Sequence, residues 1–555
     1  MNKKSIGILI LMITTTLLFA QGNFYEIMDY KGAFGTTDWT QGWTALSSYG
    51  VSAYSEPGTP DEITVTDDDI TSGSTVYWTA DHTYLLDGRV FVDDGAVLHI
   101  EAGTVIKGKP GSEDNASALI VARGGKIYAE GTADRPIIFT AESDDISNPT
   151  DVSYQTNGLW GGVIILGKAT INRPAGEFNI EGIPTSEPRG LYGGTDDDDN
   201  SGVFRYVSIR HGGVSIGADN EINGLTLGGV GRGTTIDHVE VFSNLDDGYE
   251  WFGGTVNCKN LIAAFCGDDC FDMDEGYRGK LQFLFAIQAE DFGNHCGEHD
   301  GAPSSAVTTE PKAYPVVYNA TYLGSGKDSE NGDQEALFLM RENFGGEYNN
   351  CIFGDYNGYG LDISDKLSPD DSKERLAAGE LKLMNNIWFD LNSYTMDDSI
   401  GKEDYVQAYL QDSNNGNTES DPMLTGIGRD QSGALDPRPA TDGPAWENLA
   451  EYPITAIERT SFSNRLIPSN IKLMQNYPNP FNPLTTIQFS LPKAANVSLK
   501  IYNMLGQQVA TLIDGHKPAG TYSVTWNAEN LASGMYIYHL QSGSQMISNK
   551  MLLLK

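Results

Sequence analysis

Residues 236–254 and 258–276 carry one pattern at an offset of 22 residues. Val239 falls on Leu261, Val241 on Ala263, Asp246-Asp247 on Asp268-Asp269, Tyr249 on Phe271, Glu250 on Asp272 and Gly254 on Gly276. A further 22 residues places Phe283, Phe285 and then Glu290-Asp291-Phe292 in the same slots. Self-similarity at a period of about 20 residues marks a solenoid, in which each repeat buries its apolar face on the next. Propeller blades run to about 40 residues or more. The period therefore predicts two or three short strands per turn of a right-handed parallel β-helix, with like residues stacked in inward columns.

Short β-branched or aromatic runs such as Val90-Phe91-Val92, Leu119-Ile120-Val121 and Val163-Ile164-Ile165-Leu166 fill 61–464, broken by Gly, Asn and Asp, and helical periodicity is almost absent. The chain is expected to be all-β. Its 75 acids against 36 bases give a net charge of -39, which repels nucleic-acid phosphates and anionic lipid surfaces and excludes nucleic acid as a partner.

Lys3 and Lys4 precede an apolar run at 6–19, interrupted by Thr14, Thr15 and Thr16, and Ala20 offers a small residue for cleavage. Residues 1–20 read as a secretory signal peptide, too short for a span of about 20 apolar residues. Gln21 rather than Cys follows, so the mature chain is expected to carry neither a lipid-bearing thiol nor a transmembrane segment. Residues 21–60 and a helical insertion at 368–383 are expected to cap or flank the solenoid.

A change of charge sign marks a second module after a linker at 465–475. From 476 to 555 there are five lysines against two acids, and the alternation of Val497-Ser498-Leu499-Lys500-Ile501-Tyr502 reads as part of a small antiparallel β-sandwich. Its motifs are Asn476-Tyr477-Pro478-Asn479-Pro480-Phe481-Asn482-Pro483, Leu505-Gly506, Ala519-Gly520-Thr521-Tyr522, Ser533-Gly534-Met535-Tyr536 and Lys550-Met551. They closely resemble the type IX secretion system C-terminal sorting domain (type A) of Bacteroidetes-like bacteria. The resemblance implies handling by that machinery, export across both membranes to the surface or the medium, and removal of the tail. In the body, Leu159-Trp160-Gly161-Gly162, Tyr192-Gly193-Gly194-Thr195, Arg210-His211-Gly212-Gly213 and Asn223-Gly224-Leu225-Thr226-Leu227-Gly228-Gly229 are similar to exported bacterial β-helix surface proteins without an assigned activity.

Stacked rungs would set the columns Asp246/Asp268/Glu290 and Asp247/Asp269/Asp291 about 4.8 Å apart. Like charges at that distance repel by about 3.5 kcal/mol at an effective dielectric of 20. Bound Ca²⁺, shared protons or solvated turns would offset this, and Ca²⁺ suits an all-oxygen set. Glu250, Asp272 and Arg278 are placed beside the ladder as ligand-binding residues. The run Asp196 to Asp199 lacks EF-hand spacing and reads as a solvated loop.

The ladder also permits catalysis, since paired carboxylates cleave glycosidic bonds. Gly267-Asp268-Asp269-Cys270 is similar to the paired-acid motif of polygalacturonase-type hydrolases, and Arg210-His211-Gly212-Gly213 to their His-Gly element, which makes Asp246, Asp247, Asp268, Asp269 and His211 the catalytic candidates. Here the His element precedes the acids, and no Arg-x-Lys clamp follows. A calcium-assisted lyase would use Arg278 or Lys280 as base. His295-Cys296-Gly297-Glu298-His299-Asp300 is dense in metal ligands, but its Gly and Asn294 read as a loop.

Five cysteines are an odd number for an exported chain. Cys258, Cys266, Cys270 and Cys296 are the disulfide candidates, with Cys266–Cys270 and Cys270–Cys296 as possible staples. Tyr249, Trp251 and Tyr277 would stack on sugar rings if exposed near the bends, and read as core if alternation turns them inward. Three functions stay open: a surface binding or structural module, calcium-stabilised and carbohydrate-binding; a polysaccharide hydrolase or lyase; and a ligand-free scaffold.

Overall fold

The computed structural model describes residues 24–49, 61–452 and 471–555, apart from 112–114, 149–150, 218–219, 332–335, 431–433, 477–478, 492–494, 518–519, 530 and 543–544. The expected signal segment lies outside the described residues. The described chain divides into a body at 24–451 and a tail from 452 onward.

The body is a parallel β-helix. Nine parallel strands, from Arg89–Val92 to Tyr359–Ile363, form one sheet, and a 17-stranded parallel sheet makes the remaining walls. Inward residues stack in register: Leu119 on Val163, Val163 on Leu225, Leu225 on Tyr249 and Tyr249 on Phe271. A parallel column runs Val121, Ile165, Leu227, Trp251 and Met273. All of these are fully buried, and Tyr277 joins them in the core. Each inward residue covers the one below it, so the repeat yields a continuous apolar column rather than a closed domain core.

The corners are set by single residues. Five stacked strands, Gly202–Arg210, Thr235–Phe242, Asn257–Ala264, Lys280–Ile287 and Val316–Leu323, bend at Tyr206, His238, Asn260, Phe283 and Asn319, whose φ values run from 48° to 62°. A left-handed residue turns an extended chain sharply, and Asn tolerates that conformation better than most side chains.

The expected third rung is displaced. Leu261 pairs with Leu284 and Ala263 with Ala286, an offset of 23, so Phe283 falls on the corner. Phe285 faces outward into a flanking apolar cluster instead of the interior. A one-residue slip in a strand exchanges its two faces.

Residues 24–47 lie along the flank of the 17-stranded sheet, where Ala33, Phe34, Trp43 and Leu46 pack on Ile262, Phe285, Leu323 and Ile352. Buried Glu240 anchors them: its carboxylate accepts the Ala45 and Leu46 backbone N–H groups at 2.7 and 2.9 Å and the Ser208 hydroxyl at 2.5 Å. Glu240→Ala would orphan both N–H groups at a cost of about 3 kcal/mol. The expected outcome is a lower urea midpoint and a red-shifted Trp43 emission; an unchanged midpoint would refute the anchor. At 368–383 the helix is the short Ser372–Ala377, N-capped by Asp371, and Lys382 lies on the strand Leu381–Met384.

The tail forms a three-stranded and a four-stranded antiparallel sheet around Ile487, Phe489, Leu499, Trp526 and Tyr538. Its motif residues are structural: the Asn476 amide donates to Thr485 Oγ1 at 2.9 Å, and Asn479 Oδ1 accepts the Leu552 N–H at 2.8 Å.

Candidate functional site

The outer face of the nine-stranded sheet changes character along the stack. Its first outward residues, Phe91, Ile120 and Ile164, are covered by Ile171, Ile180, Ile183 and Tyr192 of the 167–201 insertion. Beyond Thr226 the column becomes Glu250, Asp272 and Glu298, in direct register. Alternation sends Asp274 and Asp300 outward as well, one pleat further along their strands. At the turn before these strands, Asp247 Oδ1 accepts the Asp269 N–H at 2.9 Å and Asp269 Oδ1 accepts the His295 N–H at 2.6 Å. The turns are thus bonded rung to rung, and their carboxylates are fixed beside the outward row.

Recessing so many acids raises their pKa values. Asp247, Asp269, Asp272 and Asp274 are pushed well above the carboxylate range by burial first and by neighbouring carboxylates second. Glu250 follows, with Glu181 its strongest neighbour. Burial lifts Glu298 to about 7 against the opposing pull of Arg341. The Arg341 guanidinium bonds both Glu298 and Asp300, at 2.6 and 3.1 Å in the latter case. Asp268 stands exposed at the mouth.

Among the described residues three sets of ligand atoms lie within 4.8 Å of one another: Asp246/Asp247/Asp268, Asp247/Glu250/Asp272 and Asp269/His295/Glu298. The first two are all-oxygen, as Ca²⁺ requires. Asn223, 1% exposed, donates its amide to Glu250 at 2.5 Å, and its Oδ1 has no hydrogen-bond partner; Asp272 Oδ1 is likewise orphaned. Two unpaired oxygens beside this acid set suit a hard cation. In the third set His295 Nδ1 bonds the Ala336 carbonyl at 2.5 Å, and Nε2 stands 3.7 Å from Glu298.

The structure relocates several expected residues. Glu290 and Asp291 are exposed and leave the ladder, because Asp272 pairs with Glu298, an offset of 26, and the longer turn carries them outward. The histidine brought to the paired acids is His295, not His211. His211 is buried at a left-handed turn, bonded to the Thr156 carbonyl at 2.8 Å, and burial lowers its pKa. Arg278 bonds Asp197 at 3.2 Å and the Gly276 carbonyl at 2.9 Å, so its guanidinium latches the 194–200 loop rather than binding at the acids. Lys280 is exposed over the Tyr25 ring. Asp197, Asp198 and Asp199 also have partners: Thr170 N–H, Arg232 and Lys168 N–H.

Gly297–Asp300 is a strand rather than a loop. His299 points inward and bonds the Tyr348 hydroxyl at 2.5 Å, so it shares no ligand with His295; burial holds its pKa near 3. Sequence reasoning missed Asp274, Asp300, Asn223 and Arg341 as parts of this face. The strict alternation of Glu298-His299-Asp300 was the available signal.

All five cysteines are free, buried thiols, so the expected disulfide staple does not form. They face the interior and pack as small apolar side chains. Burial pushes Cys258 and Cys351 up to about 12. A thiol reagent at pH 8 is expected to find none of the five in the native chain and all five in concentrated guanidinium. Fewer than five after unfolding would mean that a bridge exists.

This fold and face define a class: an exported parallel β-helix protein with a recessed acidic surface and a C-terminal secretion module. The chain belongs to the pectate-lyase-like β-helix family, whose domain model matches residues 68–426. Residues 475–554 match the secretion system C-terminal sorting domain, which directs the chain through the type IX machinery to the cell surface or extracellular space. Among the described residues no helix is long and apolar enough to cross a membrane. Among solved structures the chain is similar to the enzymatically active domain of tailspike protein 2 of bacteriophage CBA120, with 11% identity over 85% of this chain and 72% of that one, TM-score 0.21. Full-length tailspike protein 2 from the Escherichia coli O157:H7 bacteriophage CAB120 gives 12% identity over 84% and 64%, TM-score 0.20. No curated protein matches the chain.

Proposed function

We propose that the acidic face binds a polysaccharide strand at the cell surface and hydrolyses its glycosidic bonds. The observation that carries this reading is a recessed carboxyl group, Glu298, stacked in register on Asp272 and lifted to about 7 by burial, with the exposed carboxylate Asp268 among the groups that raise it. Two carboxyls in unlike environments divide acid and base roles between them. Glu298 donates its proton to the leaving glycosidic oxygen. Asp268 takes a proton from the attacking water, and the new C–O bond forms as the glycosidic C–O bond breaks. Asp269, whose side chain hydrogen-bonds Glu298, holds that acid in place. Neutral glycans fit this face better than polyuronates, because Arg341 is already committed to two carboxylates. The test is product release from a polysaccharide panel by the whole chain; an intact, folded chain that releases nothing from any neutral glycan would defeat the hydrolytic reading.

A second reading, calcium binding by Asp246, Asp247, Asp268, Glu250 and Asp272, is favoured by the orphaned oxygens of Asn223 and Asp272. Calcium there would supply charge neutralisation to the ladder. Its readout is stability rather than turnover.

A further inference from the structure

On the flank of the body, away from the acidic face, a cleft of about 300 Å³ opens between residues 26–39 and the corner residues of three rungs. We infer that this cleft is a second binding site, built for one uncharged sugar ring.

Asn260, Phe283, Trp39, Tyr30 and His238 are among the residues that line it. Asn260, 8% exposed, sits at a left-handed corner, and its side-chain amide makes no hydrogen bond among the described residues. The contrast with the same corner two rungs on is direct: there Asn319 donates its amide to the Tyr30 carbonyl at 2.8 Å. Leaving a recessed amide unspent is costly unless water or a ligand satisfies it.

The neighbouring groups are preorganised. His238 Nδ1 bonds Asp237 at 2.8 Å, which leaves Nε2 as the acceptor, and its ring stacks on Tyr206 at 4.3 Å. Trp39 donates its indole N–H to the Ala33 carbonyl at 2.9 Å and stacks on Phe34. The wall they form is tied down by the two-way bonding of Glu26 with Gln282, at 2.8 and 2.6 Å. Glu26 of the lining is paired with Lys259 at 3.0 Å, and among the described residues no Lys or Arg lines the cleft to invite an anion.

Aromatic faces beside an amide with both donor and acceptor, and a fixed imidazole acceptor, match a ring that is apolar on its C–H face and hydroxylated at its edge. The volume is at the lower end for ligand sites, about 300 to 1,000 Å³, and takes one ring rather than a chain. The inference deepens the glycan reading, on which it rests for the ligand class, by giving the polysaccharide a point of attachment remote from the acids.

The test uses the whole chain and the methyl glycosides of glucose, galactose, mannose and N-acetylglucosamine, with binding read by saturation-transfer NMR. Asn260→Gly suits the left-handed corner and removes the amide together with its Cβ. At least one glycoside is expected to bind the native chain, with about tenfold weaker binding to Asn260→Gly. No transfer from any of the four, or equal binding by Asn260→Gly, would overturn the proposal. Glycoside binding without polysaccharide cleavage would sink the hydrolytic reading alone.

Discussion

Glu298→Gln and Asp268→Asn are each expected to lower polysaccharide cleavage about a thousandfold, the loss that accompanies removal of a positioned acid or base. Glu298→Gln should leave the fold intact, because an amide of the same shape can still accept from Arg341. The pH profile separates the roles. With Glu298 at about 7, native activity falls as pH rises through neutrality. Asp300→Asn removes a carboxylate that raises the Glu298 pKa, which is expected to lower that pKa and move the limb toward acid. A profile that stayed flat across pH 6 to 8, or full activity in Glu298→Gln, would remove Glu298 from the chemistry.

Without a cation the protein is expected to lose stability as pH rises. Asp247, Glu250, Asp269, Asp272 and Glu298 all have folded pKa values above their unfolded ones, so the folded state holds the extra protons. That stabilisation is complete below about pH 4, where both states are protonated, and is lost progressively up to the folded pKa values. Glu298 alone represents about 3 kcal/mol between pH 4 and pH 8. In chelator the urea midpoint should therefore fall steadily from pH 5 to pH 8, and millimolar calcium should restore it. Asp247→Asn with Asp272→Asn should flatten the slope and abolish the calcium response. A midpoint indifferent to both pH and calcium would show the acids to be solvated.

The period of 22 was legible because 236–254 and 258–276 match without insertion, and Tyr249 on Phe271 and Glu250 on Asp272 stand in the structure as the alignment places them. The tail was equally plain, since its turns and motif residues are local. Pattern failed where turn length changed: nothing in residues 288–296 announces the extra residues that carry Glu290 and Asp291 off the ladder. Gly297 made a strand look like a loop. Its inward position is filled by the Phe338 ring, 2.7 Å from where a Cβ would stand, so only glycine fits. The cysteine cluster signalled proximity in sequence but not direction, and the stack turned the thiols inward. Asn223 and Arg341 were invisible because each reaches the acids from a different rung.

The most direct test of the central claim is a crystal structure of Asp269→Asn with an oligosaccharide released from the cleaved polymer. Sugar rings are expected along the outer face of the nine-stranded sheet, with a glycosidic oxygen within hydrogen-bond reach of Glu298 and the chain crossing Asp272 and Glu250. Rings seated only at Trp39 and Asn260, with the acidic face bare, would contradict it.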